Sequence, residues 1–372
     1  MKNVLILGAT GSIGTTCLNS IKENNLPLKV VGISANKNVQ KLEKIGASFH
    51  VRALHLASNV AHCDCFDYYN SIDDLLDNVE CDIVLNGISG FEGLDATCKV
   101  LERGIDLALA NKESIVAGGS FIFDLAKSHN CSIIPVDSEH SAIKALLDSH
   151  GTNNVHSLII TASGGPFRTL PKEEFKNITV EQALNHPTWK MGKKITIDSS
   201  TLANKALEVI EASYLFNFKA DQIEVVVHPQ SVVHSMIRMK DGAIYSQMGN
   251  PNMSLPIIEG LLGPYYAKPL VDPLSFAPLS LTFEKPDFDR FPLLKLSYDI
   301  LKCGKGYPVA FNASNEVAVE YFLKKELSYL QLQDCIIETL QGDFSIEPSN
   351  IQQAIEIDKN AREIARNYIK AL

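Results

Sequence analysis

The sequence lacks several features that would assign it to a special class of protein. It has a single tryptophan, no excess of basic residues and a net charge of −9. This balance argues against a general nucleic-acid binder and against a protein held on anionic lipid. No apolar run reaches the length of a membrane span. The chain enters a strand at Lys2, so we expect no signal or transit peptide and predict a cytoplasmic location.

The eight cysteines form neither a disulfide framework nor a zinc-ligand set. They are scattered, and Cys81 and Cys131 lie in apolar, strand-like runs, so we expect reduced thiols rather than disulfides. Cys63 and Cys65 are separated by one residue, which is not zinc-ligand spacing, and no Cys/His cluster accompanies them.

The N-terminal third reads as an α/β domain that binds a dinucleotide. Asn3–Leu7 predicts a buried parallel strand, and residues 8–14 form a glycine-containing turn before an amphipathic helix that ends near Asn24. Glycines at such a turn let the backbone approach a pyrophosphate at the helix N-terminus. The spacing is G-x-x-G-x-x-G, and the alternative is a domain whose glycines only make a turn. Further predicted strands are Leu28–Ser34, Cys81–Asn86, Ile105–Ala110 and Cys131–Val136.

The end of the second predicted strand bears on the choice of cofactor. An enzyme for NAD normally places an acid there to bind the ribose 2′-hydroxyl, whereas residues 32–38 contain no acid and include Lys37. NADP(H) is therefore favoured. The ends of parallel strands form the ligand crevice, so Lys112 and Glu113 are expected to face it.

A first acidic site follows the strand that ends at Val136. In an extended backbone residues i and i+2 point the same way, so Asp137 and Glu139 can converge. With Glu208 they make three carboxylates, a set suited to Mg²⁺ or Mn²⁺. The alternative is a helix cap with an acidic first turn.

The second acidic site lies on a predicted helix with its N-cap at Asp198 or Ser199. On that helix Asn204 and Glu208 lie one turn apart on the same face, with Lys205 beside them. An amide, an ammonium and a carboxylate together suit an anionic, oxygen-rich ligand with a metal. A solvated amphipathic helix is the alternative.

Two polar loops and a strand pair complete the central third. Residues 162–167 offer a hydroxyl and exposed amides to a phosphate oxygen, or form a plain turn. Residues 185–194 are typical of a lid loop in which Trp189 and Met191 would cover a bound ligand. The alternative is that the single tryptophan only packs against the protein. Residues 225–236 predict antiparallel strands across a turn.

The C-terminal third predicts a small helical bundle. Residues 264–285 are rich in proline and lack periodicity, which is typical of a linker. The apolar pattern then becomes helical. The predicted helices are Leu293–Leu301, Val309–Leu323, Tyr329–Leu340 and Ile351–Ile369.

Taken jointly and in order, eight stretches resemble one family, the 1-deoxy-D-xylulose 5-phosphate reductoisomerases of the non-mevalonate isoprenoid pathway. The matches run nearly end to end. They are GATGSIG (8–14), ANKE (110–113), VDSEH (136–140), TASGGPFR (161–168), HPTWKMG (186–192), DSSTLANKALEVIEA (198–212), HPQSVVHSM (228–236) and NASNEVAV (312–319). Two departures from the family are Asn36, where glycine is common, and the loop NGISGFEGL (86–94).

The resemblance implies a role for each matching residue. The implied metal ligands are Asp137, Glu139 and Glu208, which together with Lys205 form the implied catalytic set. The implied substrate contacts are Ser138, Ser163, His186, Trp189, Ser199, Asn204 and Lys205. The implied flap consists of Trp189 and Met191. The expected NADPH contacts, which include Lys112 and Gly192 beside those that the resemblance implies, are Thr10, Gly11, Ser12, Ile13, Lys37, Asn38, Gly87, Asn111, Lys112, Glu113, Gly192 and Met253.

The resemblance also implies the reaction and the domain plan. The reaction is metal-dependent isomerisation and NADPH-dependent reduction of 1-deoxy-D-xylulose 5-phosphate, a sugar phosphate, to 2-C-methyl-D-erythritol 4-phosphate. We predict a Rossmann-like NADPH-binding domain at 1–136, an α/β catalytic, metal-binding and dimerisation domain at 137–263, a linker at 264–290 and an α-helical domain at 291–372.

A homodimer is implied, with no nucleic-acid or membrane partner. Two alternatives are an NADP-dependent dehydrogenase of semialdehyde type and a nucleotide-sensing regulatory protein. The first would need a nucleophilic cysteine or a His/Lys acid in the crevice, and its activity would survive a chelator.

Overall fold

The structure is a computed structural model that describes residues 1–58, 63–264, 267–277 and 279–372. Its strands are β1 (Lys2–Leu7), β2 (Leu28–Ala35), β3 (Ala53–Leu56), β4 (Asp67–Tyr69), β5 (Ile83–Asn86), β6 (Asp106–Leu109), β7 (Ile133–Pro135), β8 (Val155–Ala162), β9 (Ile223–Val227), β10 (Val233–Met239) and β11 (Ile244–Met248). Its helices are α1 (Ser12–Asn24), α2 (Val39–Phe49), α3 (Ile72–Asn78), α4 (Gly93–Glu102), α5 (Lys112–Ser128), α6 (Ser138–His150), α7 (Val180–Ala183), α8 (Lys193–Ser200), α9 (Ala203–Phe216), α10 (Ser254–Leu262), α11 (Pro292–Cys303), α12 (Tyr307–Leu323), α13 (Tyr329–Thr339) and α14 (Ile351–Lys370).

The first of two compact units contains a parallel sheet with the strand order β4-β3-β2-β1-β5-β6-β7. This unit comprises Met1–Ser114, Phe121–Ser141 and Asn252–Asp272. Buried aliphatic runs such as Val4–Leu7 and Ile83–Leu85 form its inner strands, as expected for a sheet covered on both faces. The strand order reverses between the adjacent strands β1 and β5, because the chain returns from β4 at one edge to place β5 beside β1. Such a switch point opens a ligand crevice at the carboxyl ends of the strands.

The sequence-based strand predictions are confirmed for β1, β2, β5, β6 and β7 to within two residues at each end. The short strands β3 and β4 were not predicted, because three or four residues carry too little periodicity to be recognised. The mixed α/β class with a Rossmann-like N-terminal region and a helical C-terminal region is confirmed.

The second unit comprises Ile115–Ser120, Ala142–Pro251 and Pro273–Leu372 and contains a mixed sheet with the order β11-β10-β8-β9. β8 pairs with β9 in parallel and with β10 in antiparallel fashion. The prediction of β9 and β10 as neighbours across a turn is therefore wrong. The distant strand β8, wholly buried from Ser157 to Ala162, inserts between them because its apolar side chains need cover on both faces.

Helices α11–α14 confirm the predicted bundle, with boundaries that differ from the prediction by no more than two residues. Tyr329 at the start of α13 is fully buried, and its ring makes edge contacts with Phe167, Phe175 and Phe322. This aromatic cluster joins α13 and α12 to the loop that follows β8.

The region between α10 and α11 has little regular secondary structure. The described residues from 264 to 291 contain no helix or strand beyond a single bridge between Glu284 and Val227. Residues 265, 266 and 278 of this linker lie outside the described residues. The four-part domain division stays a prediction.

Cys63 and Cys65 are joined by a disulfide, so the expectation of reduced thiols throughout is wrong for this pair. The remaining six cysteines are free thiols. Among the described residues, no helix combines the length and the apolar character needed to cross a membrane.

Candidate active site

The turn after β1 is shaped to hold an anionic group. α1 begins at Ser12, its N-cap Gly11 makes no side-chain cap hydrogen bond, and no acid occupies its first turn. A Cβ atom at Gly14 would lie 2.5 Å from Cα of Ala9, so only glycine allows the helix to pack this closely against the turn. The partial positive charge of the helix N-terminus therefore faces the crevice uncompensated, which fits the pyrophosphate of a dinucleotide.

Lys41 was not identified from the sequence, yet it ties this turn to α2. Its Nζ donates to the carbonyl of Thr10 at 2.8 Å and to Oγ1 of Thr15 at 3.0 Å. A lysine in the first turn of a helix is electrostatically unfavourable. Its presence at that position in the sequence could have indicated that Lys41 has a hydrogen-bond partner outside α2. Asn38 caps α2 by accepting from the Lys41 N–H, and Lys37 is exposed.

Asn111 fixes the loop that follows β5. Its Nδ2 donates to the carbonyls of Ile88 at 2.6 Å and Gly90 at 3.0 Å, while its Oδ1 accepts from the N–H of Ser114. A Cβ atom on Gly8, whose φ is +79°, would lie 2.9 Å from the carbonyl oxygen of Gly87. The turns after β1 and β5 thus abut each other at the switch point of the sheet, where a nicotinamide dinucleotide binds in this class of fold.

Asp137 and Glu139 lie close together, but not for the reason inferred from the sequence. α6 begins at Ser138, so Glu139 is helical and the extended-strand argument is wrong. Asp137 accepts from the Glu139 N–H at 3.0 Å, as a helix cap does. One carboxylate oxygen from each residue nevertheless lies within 4.8 Å of the other. Two hard oxygen donors at that spacing fit a divalent cation.

Two buried basic side chains contact Asp137. Lys112 places its Nζ 2.9 Å from Oδ2, and His140 places its Nδ1 3.1 Å from Oδ1. Both side chains are largely shielded from solvent. Lys112 therefore contacts a predicted metal ligand. The sequence motif VDSEH contains His140 but indicates no role for it; its position on α6, three residues after Asp137, explains the contact.

Ser138 and Met253 complete the predicted residues of the first unit. The Ser138 hydroxyl donates to Oε2 of Glu139 at 2.5 Å. Met253 is the N-cap of α10 and packs against the hydrophobic core of the unit. Its contact with a nicotinamide ring, like the contacts of Thr10, Ile13 and Glu113, stays a prediction.

The second unit carries the other acidic site on α8 and α9. The predicted N-cap at Asp198 or Ser199 is wrong, since both residues lie in the last turn of α8 and α9 begins at Ala203. Leu202 separates the helices with a φ of +58° and is buried. A bulky residue in this left-handed conformation is strained, and the burial of its side chain offsets that strain.

Asn204, Lys205 and Glu208 form a compact polar cluster, as the helical spacing predicted. Asn204 Nδ2 donates to Oε1 of Glu208 at 2.5 Å, and Lys205 Nζ contacts Oε2 of the same carboxylate. Glu208 is 1% exposed and Lys205 4% exposed. Burying a carboxylate without a partner is costly, and here an amide and an ammonium pair with it. Glu208 belongs to the second unit, whereas Asp137 and Glu139 belong to the first.

Ser163 and His186 form the second polar feature of this unit. His186 Nδ1 accepts from the backbone N–H groups of Thr188 and Trp189, so its neutral ring carries hydrogen on Nε2 and donates to Ser163 Oγ at 3.0 Å. Burial lowers the pKa of His186, which favours this neutral form. The Ser163 hydroxyl also accepts from Gly165 N–H, so its own hydrogen can point to a ligand oxygen.

The turn at residues 162–167, called here the Ser163 turn, lies directly against Ser199. Gly165 has a φ of +67°, and a Cβ atom there would lie 2.7 Å from the carbonyl oxygen of Ser199. The turn that contains Ser163 is thus packed against the backbone of Ser199, which lies 36 positions later in the sequence. Trp189 and Met191 are half-buried in the loop before α8, and exposed Gly192 accepts from the Thr196 N–H as the cap of that helix.

The buried thiols do not supply the nucleophile that a semialdehyde-type dehydrogenase would need. Burial raises the pKa of Cys17 and Cys98 to about 12 and that of Cys335 to about 11. A thiolate rather than a thiol is the nucleophile, so these three side chains are inert at neutral pH.

Family models match most of the chain. The model described as 1-deoxy-D-xylulose 5-phosphate reductoisomerase matches residues 4–119, the C-terminal domain of the same enzyme matches residues 133–216, and a further model described as DXP reductoisomerase C-terminal domain matches residues 248–364.

Full-length relatives carry the same name. The 1-deoxy-D-xylulose 5-phosphate reductoisomerase of Clostridium botulinum (strain Loch Maree / Type A3) is 43% identical, covering 98% of both chains. That of Treponema denticola is 42% identical, covering 98% of this chain and 96% of the relative.

Solved structures of that name match the fold over the whole chain. The enzyme from Zymomonas mobilis in complex with NADPH has a TM-score of 0.92 at 36% identity, covering 100% of both chains. A DOX-P reductoisomerase in complex with NADPH, fosmidomycin and magnesium has a TM-score of 0.88 at 33% identity, covering 100% of this chain and 98% of that one.

Proposed function

The chain belongs to the 1-deoxy-D-xylulose 5-phosphate reductoisomerase family, and on that premise we propose that Asp137, Glu139 and Glu208 hold its divalent cation. The chain is an NADP-dependent oxidoreductase of non-mevalonate isoprenoid biosynthesis. It isomerises and reduces 1-deoxy-D-xylulose 5-phosphate to 2-C-methyl-D-erythritol 4-phosphate with NADPH and a magnesium-type cation. The proximity of Asp137 and Glu139 oxygens, within 4.8 Å, is the observation that carries the proposed ligand set.

The cation, NADPH and the protein side chains have separate roles in the reaction. When bound, the cation polarises the substrate's ketone oxygen and NADPH supplies a hydride. Asn204 and Lys205 hold Glu208 by two hydrogen bonds, which orients the carboxylate before substrate arrives. We assign Lys205 to the catalytic set because its ammonium sits beside that carboxylate, where it can also donate to a substrate oxygen. Ser138, through its bond to Glu139, is the proposed contact for a substrate hydroxyl.

We assign the phosphate of the substrate to the second unit. The residues proposed at the phosphate end are Ser163, His186, Ser199, Asn204 and Lys205, and His186 acts there through its hydrogen bond to Ser163. The neutral His186 ring turns the Ser163 hydroxyl hydrogen toward a ligand, and Gly165 lets the Ser163 turn approach Ser199. Binding energy from this remote group, which does not react, stabilises the closed and oriented complex.

Trp189 and Met191 are proposed to close over the substrate as a flap. His186 supports this assignment because its Nδ1 accepts from the backbone of Thr188 and Trp189. The residue that helps to hold the phosphate therefore also fixes the start of the flap, and closure excludes water from the intermediate.

The NADPH contacts are proposed around the turns after β1, β2 and β5. The uncompensated N-terminus of α1 supports a pyrophosphate site at Thr10–Ile13, and the absence of an acid in residues 32–38 supports a 2′-phosphate near Lys37 and Asn38. Gly87, Asn111, Lys112, Glu113, Gly192 and Met253 are proposed for the nicotinamide side.

The metal assignment is tested by Glu208→Gln, which keeps the shape of the side chain and its capacity to accept a hydrogen bond. We expect turnover to fall by about a thousandfold or more, since a lost charged ligand costs several kcal/mol of transition-state stabilisation. NADPH affinity, measured by fluorescence quenching, should stay within about twofold of the wild-type value. The reason is that Glu208 lies in the second unit, whereas the turn after β1 lies in the first.

Mn²⁺ binding, followed by electron paramagnetic resonance, supplies a readout independent of activity, and Glu208→Gln should weaken it. The matched control is Glu224→Gln, a half-exposed carboxylate of the same unit that pairs with Arg238. Wild-type turnover and Mn²⁺ affinity in Glu208→Gln would remove Glu208 from the metal site.

We propose a homodimer built on the edge of the four-stranded sheet. β11 is the terminal strand of that sheet, and its Ile244 and Tyr245 are 52% and 44% exposed. An exposed apolar edge strand pairs readily with another chain. Ile244→Lys should shift the molecular mass measured by light scattering toward the monomer, whereas Leu330→Lys, another exposed apolar position, should not. An unchanged mass in Ile244→Lys would exclude this edge.

We also propose a cytoplasmic location. NADPH and a sugar phosphate are multiply charged and do not cross a lipid bilayer, so the enzyme needs the compartment that makes both. Recovery of the protein in the membrane or extracellular fraction of its source cells would contradict this assignment.

A further inference from the structure

We propose that Asn315 on α12 and Tyr329 on α13 are positioning residues. They fix the position of Ser199 and thereby support binding of the substrate's phosphate. The inference rests on the proposed phosphate role of Ser199. Both residues lie in the C-terminal helical region and contact the segment immediately on either side of Ser199.

Asn315 holds the residue before Ser199. Its Nδ2 donates to Oδ1 of Asp198 at 2.9 Å, and the other oxygen of Asp198 lies 2.9 Å from Lys194 Nζ. Asn315 is fully buried and Asp198 is 1% exposed. A hydrogen bond to a buried carboxylate is among the stronger ones in proteins, so this contact fixes the last turn of α8 against α12.

Tyr329 holds the residue after Ser199. Its hydroxyl donates to the carbonyl of Ser200 at 2.6 Å, a group at the end of α8 that has no partner in the helix ladder. The ring is immobilised by edge contacts with Phe167 at 5.3 Å and Phe175 at 5.7 Å between centroids. The donor atom is therefore held in place by rigid aromatic packing.

These two contacts act on both proposed phosphate serines. The Ser199 carbonyl lies 2.7 Å from the position of a Cβ atom on Gly165, so the end of α8 and the Ser163 turn are in close contact. Phe167, against which Tyr329 packs, follows that turn by two residues. A shift of the α8 terminus therefore changes the separation of the two hydroxyls, and hydrogen bonds weaken steeply when their geometry is lost.

Packing alone does not account for Asn315. Its Oδ1 is buried without a hydrogen-bond partner among the described residues, which costs free energy that an apolar side chain of similar size would avoid. An amide at this position therefore lowers the stability relative to an apolar side chain of the same size, and the interaction that it provides is the hydrogen bond to Asp198.

The test uses Asn315→Leu, which keeps the volume, and Tyr329→Phe, which keeps the aromatic packing and removes only the hydroxyl. Each full-length variant is assayed with 1-deoxy-D-xylulose 5-phosphate and with 1-deoxy-D-xylulose, which lacks the phosphate. We expect kcat/KM for the phosphorylated substrate to fall about 10- to 100-fold, while kcat/KM for the unphosphorylated ketose changes by less than about threefold. The ratio of the two values is a readout that general destabilisation does not move.

The matched controls are Asn312→Leu on the same helix, where the amide contacts Glu316, and Tyr307→Phe, whose ring packs on Phe344. Neither should change the ratio. An equal loss with both substrates, or no loss with either, in both Asn315→Leu and Tyr329→Phe would overturn the proposal.

Ser199→Ala, assayed in parallel, separates the two levels of inference. A phosphate-selective loss in Ser199→Ala without one in the positioning variants would leave the proposed role of Ser199 standing and refute only the positioning role. No selective loss in Ser199→Ala would instead refute the phosphate role on which the inference rests.

Discussion

The substitution Gly165→Ala should damage the proposed phosphate site through backbone geometry alone. Gly165 has a φ of +67°, a conformation that costs an L-residue about 1–2 kcal/mol. The added Cβ would also lie 2.7 Å from the Ser199 carbonyl oxygen, closer than such atoms approach, and the obstacle is backbone rather than a flexible side chain. We therefore expect a loss of about 2–4 kcal/mol in the free energy of unfolding, from strain and overpacking together.

The matched control is Gly242→Ala, which separates strain from collision. Gly242 has a φ of +94°, and a Cβ atom there would meet nothing within 4 Å. This variant should lose only the strain contribution, about 1–2 kcal/mol, and keep the activity of the wild type. The difference between the two variants measures the contact between the Ser163 turn and the end of α8.

The assay combines urea unfolding with steady-state kinetics on the phosphorylated substrate. In Gly165→Ala we expect kcat/KM to fall at least about tenfold, because displacing Ser199 or Ser163 by a few tenths of an ångström weakens bonds that act on the phosphate. NADPH affinity should stay unchanged. If Gly165→Ala matches Gly242→Ala in both stability and kcat/KM, the close approach does not support the site and the reasoning fails.

Three further substitutions test the charges around the site. Burial lowers the pKa of His186 in the folded chain, so as the pH falls this histidine is protonated in the unfolded chain before it is protonated in the folded one. The free energy of unfolding should therefore keep its full contribution from neutral His186 above about pH 6.5 and lose it as the pH falls below that value. In urea unfolding, His186→Gln should flatten that pH dependence and the exposed His156→Gln should not. Lys41→Met should weaken NADPH binding about tenfold by removing the bonds to the glycine turn, whereas Lys44→Met, exposed on the same helix, should leave fluorescence titrations unchanged. Lys112→Met should tighten Mn²⁺ binding at least about tenfold, since its ammonium competes for Asp137; weaker binding would show that it orients the carboxylate instead.

Much of the parallel sheet could be predicted because its strands are short apolar runs with helical pattern between them. Such runs are buried on both faces, and their boundaries are marked by polar residues. The same holds for α11–α14, whose apolar stripes repeat every three to four residues. The hairpin predicted from residues 225–236 was wrong because strand neighbours depend on long-range packing. The strand that separates β9 from β10 is β8, which precedes β9 by about 60 residues.

Local chemistry misled the prediction at two sites. Hydroxyl-rich residues 196–201 suggested a helix start, but Thr196, Ser200 and Thr201 bond to carbonyls of the preceding turn and continue α8 to its end. At Asp137 the helix-cap alternative describes the backbone, while the spacing of the carboxylates still suits a cation. A cap and a ligand are compatible roles, because a capping carboxylate keeps lone pairs for a further partner.

Each half of the proposed metal set already carries a lysine as its counter-cation. Lys112 pairs with Asp137 in the first unit, and Lys205 pairs with Glu208 in the second. A carboxylate that is 1% exposed, as Glu208 is, is costly to bury unpaired. The lysines therefore keep each of these carboxylates paired in the folded chain. At the proposed site a cation would take the place of the lysine as the partner of each carboxylate, and Lys205 would then be able to donate to a substrate oxygen, as its proposed catalytic role requires.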